Sequence, residues 1–202
     1  MMGKRLGFRK KILVMKKITM VELLSERQLT IPKNQHSYFW ETDLLNASSD
    51  KQVNLFLKQF ENNLAQNCKY DFGHIILKEN TKKQFEIIDG QQRITTALIL
   101  VSAMFSFLHK IRKIVPHEEK IFERLMKSEM IYRLQLNGDD HLFFKDFVID
   151  RIEKAVPKTI SSNRIKAAFD FFNFQLESKT ERELLAMIEI MQTAEIEVTF
   201  CN

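Results

Sequence analysis

Apolar residues recur at helical spacing after Gly90, and this is the most regular pattern in the chain. The run before Gly90, from Phe85 to Ile88, is short and mostly apolar, and it ends in two β-branched residues. The pattern therefore predicts a strand, a tight turn and a helix that extends to Ile111. The apolar face of that helix consists of Ile94, Ala97, Leu98, Val101, Met104, Phe105, Leu108 and Ile111.

A β-hairpin is predicted directly before this turn. The apolar runs 72–77 and 84–88 flank the polar stretch 79–83, which is the pattern of two antiparallel strands joined by a turn. The hairpin would lead the chain straight into the long helix. The other elements predicted upstream are a short helix over 19–27, a strand over 29–32 and an amphipathic helix over 50–66.

The whole chain is predicted to be an α+β protein with two parts that follow a basic arm over 1–17. Residues 18–112 would form a small mixed sheet with helices. Residues 113–202 would form a mainly helical extension, because Pro116 interrupts the long helix and helical patterns dominate after it. The elements predicted in the extension are helices over 117–127, 140–150 and 162–177, a helix from Thr180, an extended segment over 131–136 and a strand over 195–200.

The composition is that of an ordinary soluble protein. Of 202 residues, 45% are hydrophobic and 28% are charged, and 17 Phe supply core material. No uninterrupted apolar run reaches the roughly 20 residues of a membrane span, so no membrane partner is expected. Cys68 and Cys201 lie far apart and lack metal-ligand spacing, so a reducing cytoplasm is the expected compartment.

Positive charge is concentrated in the first 17 residues, which carry seven Lys or Arg and no acid. Subtracting this +7 from the total of +5 leaves −2 for the rest of the chain. The body is therefore not a basic nucleic-acid-binding domain by bulk charge. The arm can either contact DNA phosphates or act as a solubilising tail, so DNA is a candidate partner.

The turn between the strand and the long helix has the composition of an anion site. The first N–H groups of a helix lack intrahelical partners and lie at the positive end of its dipole, which suits a phosphate. Gly90 allows close approach, Arg93 offers a fork of donors, and Gln91 and Gln92 add neutral donors and acceptors. Asp89 can cap the helix, hold a magnesium ion or pair with Arg93. A capped helix with a solvated Arg explains the same spacing, so both interpretations stay open.

The octapeptide that begins at Asp89, Asp-Gly-Gln-Gln-Arg-Ile-Thr-Thr, resembles the signature of a known family. This is the N-terminal domain family of GmrSD-type modification-dependent restriction endonucleases, also called domain of unknown function 262. The octapeptide is also similar to the Gly-x-x-Arg turn of ParB-like proteins of the ParB/sulfiredoxin-like group, where a strand, turn and helix bind nucleotide phosphates. Weaker family landmarks lie at 134–144 and 161–165. The resemblance implies a ParB-like fold.

A second part of the resemblance covers the polar and aromatic segment 31–40. The family has Pro, then Gln-Arg, an aromatic residue and Trp, and this chain matches at Pro32, Gln35, Tyr38 and Trp40. His36 stands where the family has Arg, which replaces a permanent charge with a group that is largely neutral at neutral pH. Tyr38 and Trp40 are candidates either for core packing or for stacking on a base.

The resemblance implies a site for a nucleoside triphosphate and Mg²⁺ in a bacterial restriction or phage-defence protein. In this hypothesis Arg93 neutralises phosphate, Asp89 binds the metal ion or positions water, and Gln91 and Gln92 orient the phosphates or the attacking water. These four are the candidate catalytic residues, and nucleotide hydrolysis is the implied activity. The candidate ligand-binding residues around them are Gly90, Thr95, Gln35, His36, Tyr38 and Trp40.

DNA cleavage is expected to come from a separate nuclease domain or subunit. One nuclease pattern has an acidic residue followed two positions later by Lys, but Glu86 is followed there by Ile88. The five His also show no paired metal-ligand spacing. The sequence also contains no Walker loop and no Gly-x-Ser-x-Gly elbow. Longer relatives are expected to continue beyond the strand at 195–200, so the chain is expected to be a truncated form, and homo-oligomers are a further expectation.

The alternative hypothesis is a non-catalytic module that binds DNA or a partner protein. In this alternative the turn around Arg93 serves structure alone. The substitution at His36, the expected truncation and the basic arm favour it, since the first weakens a phosphate site and the last supplies charge for DNA. A third hypothesis is an inactive remnant, which the sequence does not separate from the nucleotide-binding one.

Overall fold

The computed structural model describes residues 14–66, 68–81, 83–129 and 131–201. Helices and strands alternate only as far as the second helix and then follow one another in runs, and a short π-helical turn, Phe144–Ile149, follows the fifth helix. The helices are α1 (Met20–Ser25), α2 (Gln52–Ala65), α3 (Gln91–Ile111), α4 (Pro116–Leu125), α5 (Gly138–Phe143), α6 (Ile160–Leu176) and α7 (Glu181–Thr193). The strands are β1 (Val14–Thr19), β2 (Gln28–Thr30), β3 (Asp71–Thr81), β4 (Gln84–Asp89), β5 (Lys127–Ser128), β6 (Ile131–Tyr132), β7 (Leu134–Gln135) and β8 (Glu195–Cys201).

A mixed sheet of six strands forms the centre of the fold, in the order β1-β8-β3-β4-β2-β7. β3 and β4 pair antiparallel, which confirms the predicted hairpin. β8 runs parallel to β3 and antiparallel to β1, and β2 runs parallel to both β4 and β7. Sheet and helices together confirm the predicted α+β class.

The long helix α3 begins and ends where the apolar pattern predicts. It is buried on most of its circumference, and even Thr96 and Ser102 are inaccessible to solvent. Ile111 differs from the prediction because it lies at the helix end and is 44% exposed. By length and mean hydropathy α3 could cross a membrane, but 72% of the relevant window is buried against the rest of the protein, as in a core helix.

The C-terminal part of the chain supplies two strands to the same sheet that holds the hairpin. β8 lies between β1 and β3, and β7 forms an edge next to β2. The elements after Pro116 therefore complete the sheet as well as adding helices. The helical segment predicted over 140–150 is divided into α5 and the π-helical turn, in which the Asp150 N–H donates to the Lys145 carbonyl.

The last residues of the predicted basic arm belong to β1. Lys17 lies on this edge strand and forms an ion pair with Glu195 of β8 at 2.5 Å. The preceding residues 1–13, which carry most of the positive charge of the arm, lie outside the described residues.

Candidate functional site

Gly90 forms the turn that joins β4 to α3. Its φ angle of +100° is left-handed, and a Cβ atom at this position would lie 2.5 Å from the Cγ2 atom of Ile75. Both conditions favour glycine, since an L side chain is strained at this φ and has no space. Within the described residues no side chain caps α3, so Asp89 does not serve as a cap. The helix therefore presents its first N–H groups next to the turn.

Arg93 is fixed by the backbone of β3. Its Nη1 donates to the Phe72 carbonyl at 3.1 Å, and its Nη2 donates to the His74 carbonyl at 2.5 Å. The side chain remains 30% exposed, and Asp89 lies beside it with an Oδ2–Nη2 distance of 3.7 Å. Since a guanidinium carries five N–H donors, these two hydrogen bonds leave donors for a ligand.

Gly73 leaves the space that the Arg93 guanidinium fills. Its φ angle is +80°, and a Cβ atom there would lie 2.5 Å from Nη1 of Arg93. The N–H of Gly73 donates to Oδ1 of Asp71 at 2.9 Å, which helps to fix the start of β3. A glycine on β3 is thus part of the arginine site on α3.

Three glutamines hold the loop over residues 31–40 against the turn at Gly90. Gln35 belongs to this loop, and Gln91 and Gln92 belong to the motif. Gln92 is buried and accepts from the Phe39 N–H at 3.0 Å, and it donates to the Ser37 carbonyl at 3.2 Å. Gln91 donates to Gln35 at 2.8 Å, and Gln35 donates to the Ile88 carbonyl at 2.8 Å. The amides of Gln35, Gln91 and Gln92 are therefore used to position the loop.

Tyr38 and the two threonines make internal hydrogen bonds. Tyr38 is only 4% exposed, and its hydroxyl lies 2.9 Å from the Thr96 hydroxyl in the core. Burial raises the pKa of Tyr38 far above its ordinary range, so the phenol is neutral. Thr95 donates to the Gln91 carbonyl at 2.8 Å. Tyr38 thus occupies a packing position, and its ring is not open to a base.

Trp40 and Arg93 line one cleft of about 350 Å³. Trp40 packs on Phe56 of α2 with a distance of 6.3 Å between ring centroids. The polar groups on the other walls are the amides of Gln52 and Gln59, the carboxylate of Asp71 and the phenol of Tyr70. Burial is the main cause that raises the pKa of Tyr70 to about 12, so this phenol stays protonated and can donate.

The structure brings only part of the predicted site together. Trp40 and Arg93 share the cleft, with Asp89 next to Arg93, but His36 is exposed and contacts Phe39 at another cleft. Sequence reasoning did not identify Gln52 or Gln59, because polar residues on an amphipathic helix look like an ordinary solvated face. It also did not identify Asp71, the first residue of β3. Gly73 gave the one usable signal, a glycine directly before an apolar strand.

Carboxylates outnumber cations at this cleft. Arg93 is positive, while Asp89 lies 3.7 Å away and Asp71 lines the cleft with a second carboxylate. In the described part of the chain no group of three or more His, Cys, Asp or Glu side chains is placed to hold a metal ion. A magnesium ion at this site would therefore depend on oxygens of a bound phosphate in addition to one or two carboxylates, which is a common arrangement for Mg²⁺.

Comparison with protein families gives a match over most of the chain. The family model described as the N-terminal domain of the GmrSD restriction endonuclease matches residues 20–201. No curated protein matches the chain at a significant level. The matched range includes the hairpin, the turn at Gly90, the loop with Trp40 and the final strand β8.

Proposed function

This chain belongs to the GmrSD restriction endonuclease N-terminal domain family, a family of restriction and phage-defence systems, and from this premise we propose that it binds a nucleoside triphosphate. The observation that carries the proposal is the position of Arg93. Its guanidinium is held by two backbone carbonyls, retains free donors, and lines the same cleft as the indole of Trp40. A cation beside an aromatic surface is the usual combination for phosphate and base.

The proposed roles follow from the contacts. Arg93 binds a phosphate through its remaining N–H groups, close to the uncapped first turn of α3. Trp40 offers its face to the base, and Gln52 and Gln59 offer amides to its polar edge. In this proposal the motif glutamines 91 and 92 and Gln35 act as positioning residues, because their side chains hold the loop.

Hydrolysis of the nucleotide is the proposed activity. Asp89 is exposed next to Arg93 and is the residue proposed to hold Mg²⁺ or a water molecule. When bound, Mg²⁺ neutralises charge that develops on the phosphate oxygens. Arg93 would stabilise the same charge from the protein side. Cleavage of DNA is proposed to come from a nuclease domain or subunit that acts with this domain.

Calorimetric titration tests the binding. ATP, GTP, CTP and UTP with magnesium are titrated into the intact chain, into Arg93→Gln and into Arg182→Gln, which removes an exposed cation from α7. We expect the intact chain and Arg182→Gln to bind one or more nucleotides, and Arg93→Gln to bind at least ~10-fold more weakly because a charged, forked donor is lost. Equal affinity of all three proteins would contradict the proposed phosphate site.

A second candidate is the non-catalytic module that binds DNA or a partner protein. One observation favours it: the side chains of Arg93, Gln92, Gln91 and Gln35 all form hydrogen bonds within the chain, as a purely structural motif would. In that case DNA binding would depend steeply on salt, survive Arg93→Gln and be lost when residues 1–13 are removed, a deletion that leaves β1 intact.

A further inference from the structure

A second cleft, of about 440 Å³, is lined by the loop residues that precede Trp40. Its walls are the loop residues 36–39 and the first two turns of α6, with Ile160, Ser161 and Arg164. It shares no lining residue with the Arg93 cleft. A ligand here would be distinct from the nucleotide proposed at Arg93.

Ser161 provides the first sign that this cleft takes a polar ligand. The residue is 5% exposed, and its hydroxyl has no hydrogen-bond partner among residues 14–66, 68–81, 83–129 and 131–201. A buried hydroxyl without a partner is unfavourable, and most such groups are satisfied in native proteins. Ser161 occupies the second position of the 17-residue helix α6, where the dipole favours an anion.

The neighbouring groups at the helix start are already paired. Thr159 accepts from the Ser162 N–H at 2.9 Å and donates to the buried carboxylate of Asp140. Asp140 therefore belongs to the cap of α6. Among the described residues, Ser161 is thus the member of this first turn whose buried hydroxyl lacks a hydrogen-bond partner.

Arg164 adds positive charge one turn further along α6. Its Nη2 donates to Glu41 at 3.1 Å, and Lys51 donates to the same carboxylate at 2.6 Å. Two cations thus share the Glu41 carboxylate, and Asp43 and Asp50 also lie near Lys51. Among the residues that line the cleft itself, Arg164 is the one Lys, Arg, Asp or Glu side chain. The Arg164 side chain is 34% exposed, so its other donors can reach a ligand.

Large apolar side chains line the same cleft as these polar groups. Phe39 is 45% exposed and Ile160 is 76% exposed, which is high for large hydrophobic side chains. His36 packs edge-on against Phe39 with ring centroids 6.4 Å apart. An exposed aromatic ring is a surface on which a flat heterocycle stacks.

From these contacts we infer that the cleft between the 36–39 loop and the start of α6 binds a single nucleotide unit. The base stacks on Phe39, and the phosphate contacts Arg164 and the Ser161 hydroxyl. The unit comes either from a free mononucleotide or from a single-stranded nucleic acid, because both present the same base and phosphate. This site is independent of the one proposed at Arg93.

Two fluorescent probes test the inference: labelled thymidine monophosphate and a labelled short single-stranded deoxythymidine oligonucleotide. Each is titrated into the intact chain, Phe39→Ala, Arg164→Gln, Ser161→Ala, Arg93→Gln and the control Arg182→Gln. Thermal melting confirms that each variant folds. Ser161→Ala removes an unsatisfied buried hydroxyl, so it should leave the melting temperature unchanged or raise it. Weaker probe binding by this variant would therefore not reflect a loss of stability.

We expect at least one probe to bind, with affinity at least ~10-fold weaker in Phe39→Ala and Arg164→Gln and severalfold weaker in Ser161→Ala. Arg93→Gln and Arg182→Gln should bind as the intact chain does, which separates this result from any failure of the Arg93 site. Binding of the monophosphate identifies a free nucleotide, and binding of the oligonucleotide alone identifies a strand.

A photoreactive iododeoxyuridine in the oligonucleotide gives a spatial test. If the strand binds, the crosslink should map to the peptide that contains His36 and Phe39. The inference is overturned if neither probe binds, or if binding is unchanged in Phe39→Ala and Arg164→Gln.

Discussion

Arg93 is the residue on which the nucleotide site depends, and its position is determined by small contacts. Two carbonyls of β3 fix the guanidinium, and Gly73 provides the space that it occupies. Oδ2 of Asp89 lies 3.7 Å from Nη2 of Arg93, which is close enough for charge attraction but too far for a short hydrogen bond. The conformation is therefore set by the protein before any ligand arrives, which reduces the cost of ordering a long side chain on binding.

Substitution of Gly73 by alanine should displace Arg93. The new Cβ would lie 2.5 Å from Nη1, so the guanidinium must leave its two carbonyls, and calorimetry should show nucleotide binding at least ~10-fold weaker. The positive φ adds about 1–2 kcal/mol of strain. Gly138→Ala is the matched control, since Gly138 also has a positive φ but a Cβ there meets no atom within 4 Å. Equal nucleotide affinity of the two variants would refute the role given to Gly73.

At the scale of elements, the loop before α2 is as important as the helix that carries the motif. Gln92 binds the backbone of Ser37 and Phe39 from α3, so the loop is attached to the motif at its centre. Phe39 and Trp40 are neighbours in this loop, yet Phe39 lines one cleft and Trp40 lines the other. The glutamine thus organises both proposed sites without facing either ligand.

Replacing Gln92 by methionine should release this loop. Both loop hydrogen bonds are lost, and the Phe39 N–H is left without its partner, which should cost about 1–3 kcal/mol. Hydrogen exchange of the Phe39 amide should become faster, whereas Gln66→Met, an exposed position at the end of α2, should not change it. Unchanged exchange at Phe39 would show that the loop is held by other contacts.

The hairpin and α3 could be predicted from the sequence because their periodicity is strong and local. Polar glutamines in the motif suggested ligand contacts, but the hydrogen bonds that occupy Gln91 and Gln92 depend on a loop more than 50 residues away in the chain. By its sequence context, Tyr38 could lie in the core or face a ligand. The buried hydrogen bond between its hydroxyl and the Thr96 hydroxyl shows that it lies in the core. The α2 wall of the Arg93 cleft could not be predicted, since Gln52 and Gln59 resemble a solvated helix face.

At the scale of the whole molecule, the sheet joins the two ends of the described chain. β8 lies between β1 and β3. The alternation of apolar and polar residues over 195–200 predicts a strand, but it does not predict which strands pair with it. The Lys-rich composition around β1 suggested an arm, although its last residues pair with β8. The relation to ParB-like proteins remains a prediction, while membership of the GmrSD family is confirmed.

Acid should weaken the connection between β1, β8 and the start of β3. Hydrogen bonds and charges from Lys17 and Lys69 lower the pKa of Glu195 to about 2. The unfolded carboxyl, at its ordinary 4.5, binds protons first as the pH falls. The stabilisation is therefore complete above about 4.5 and is lost as the pH approaches about 2.

Urea unfolding at several pH values measures this effect. The difference in unfolding free energy between the intact chain and Glu195→Gln should be largest at neutral pH and shrink with acid. Glu197→Gln, an exposed position on the same strand, should show a smaller pH dependence of that difference. A constant difference for Glu195→Gln across this range would exclude the two-lysine interaction as a source of acid sensitivity.

The fluorescence of Trp40 tests the central claim most directly, because this is the one tryptophan in the chain and it lines the cleft with Arg93. Addition of the nucleotide that binds most tightly, with magnesium, should change its emission in a saturable way. In Arg93→Gln the change should require at least ~10-fold more nucleotide to reach half of its final size. Binding by calorimetry without any change in Trp40 emission, or the same change at the same nucleotide concentrations in Arg93→Gln, would contradict a nucleotide site at this turn.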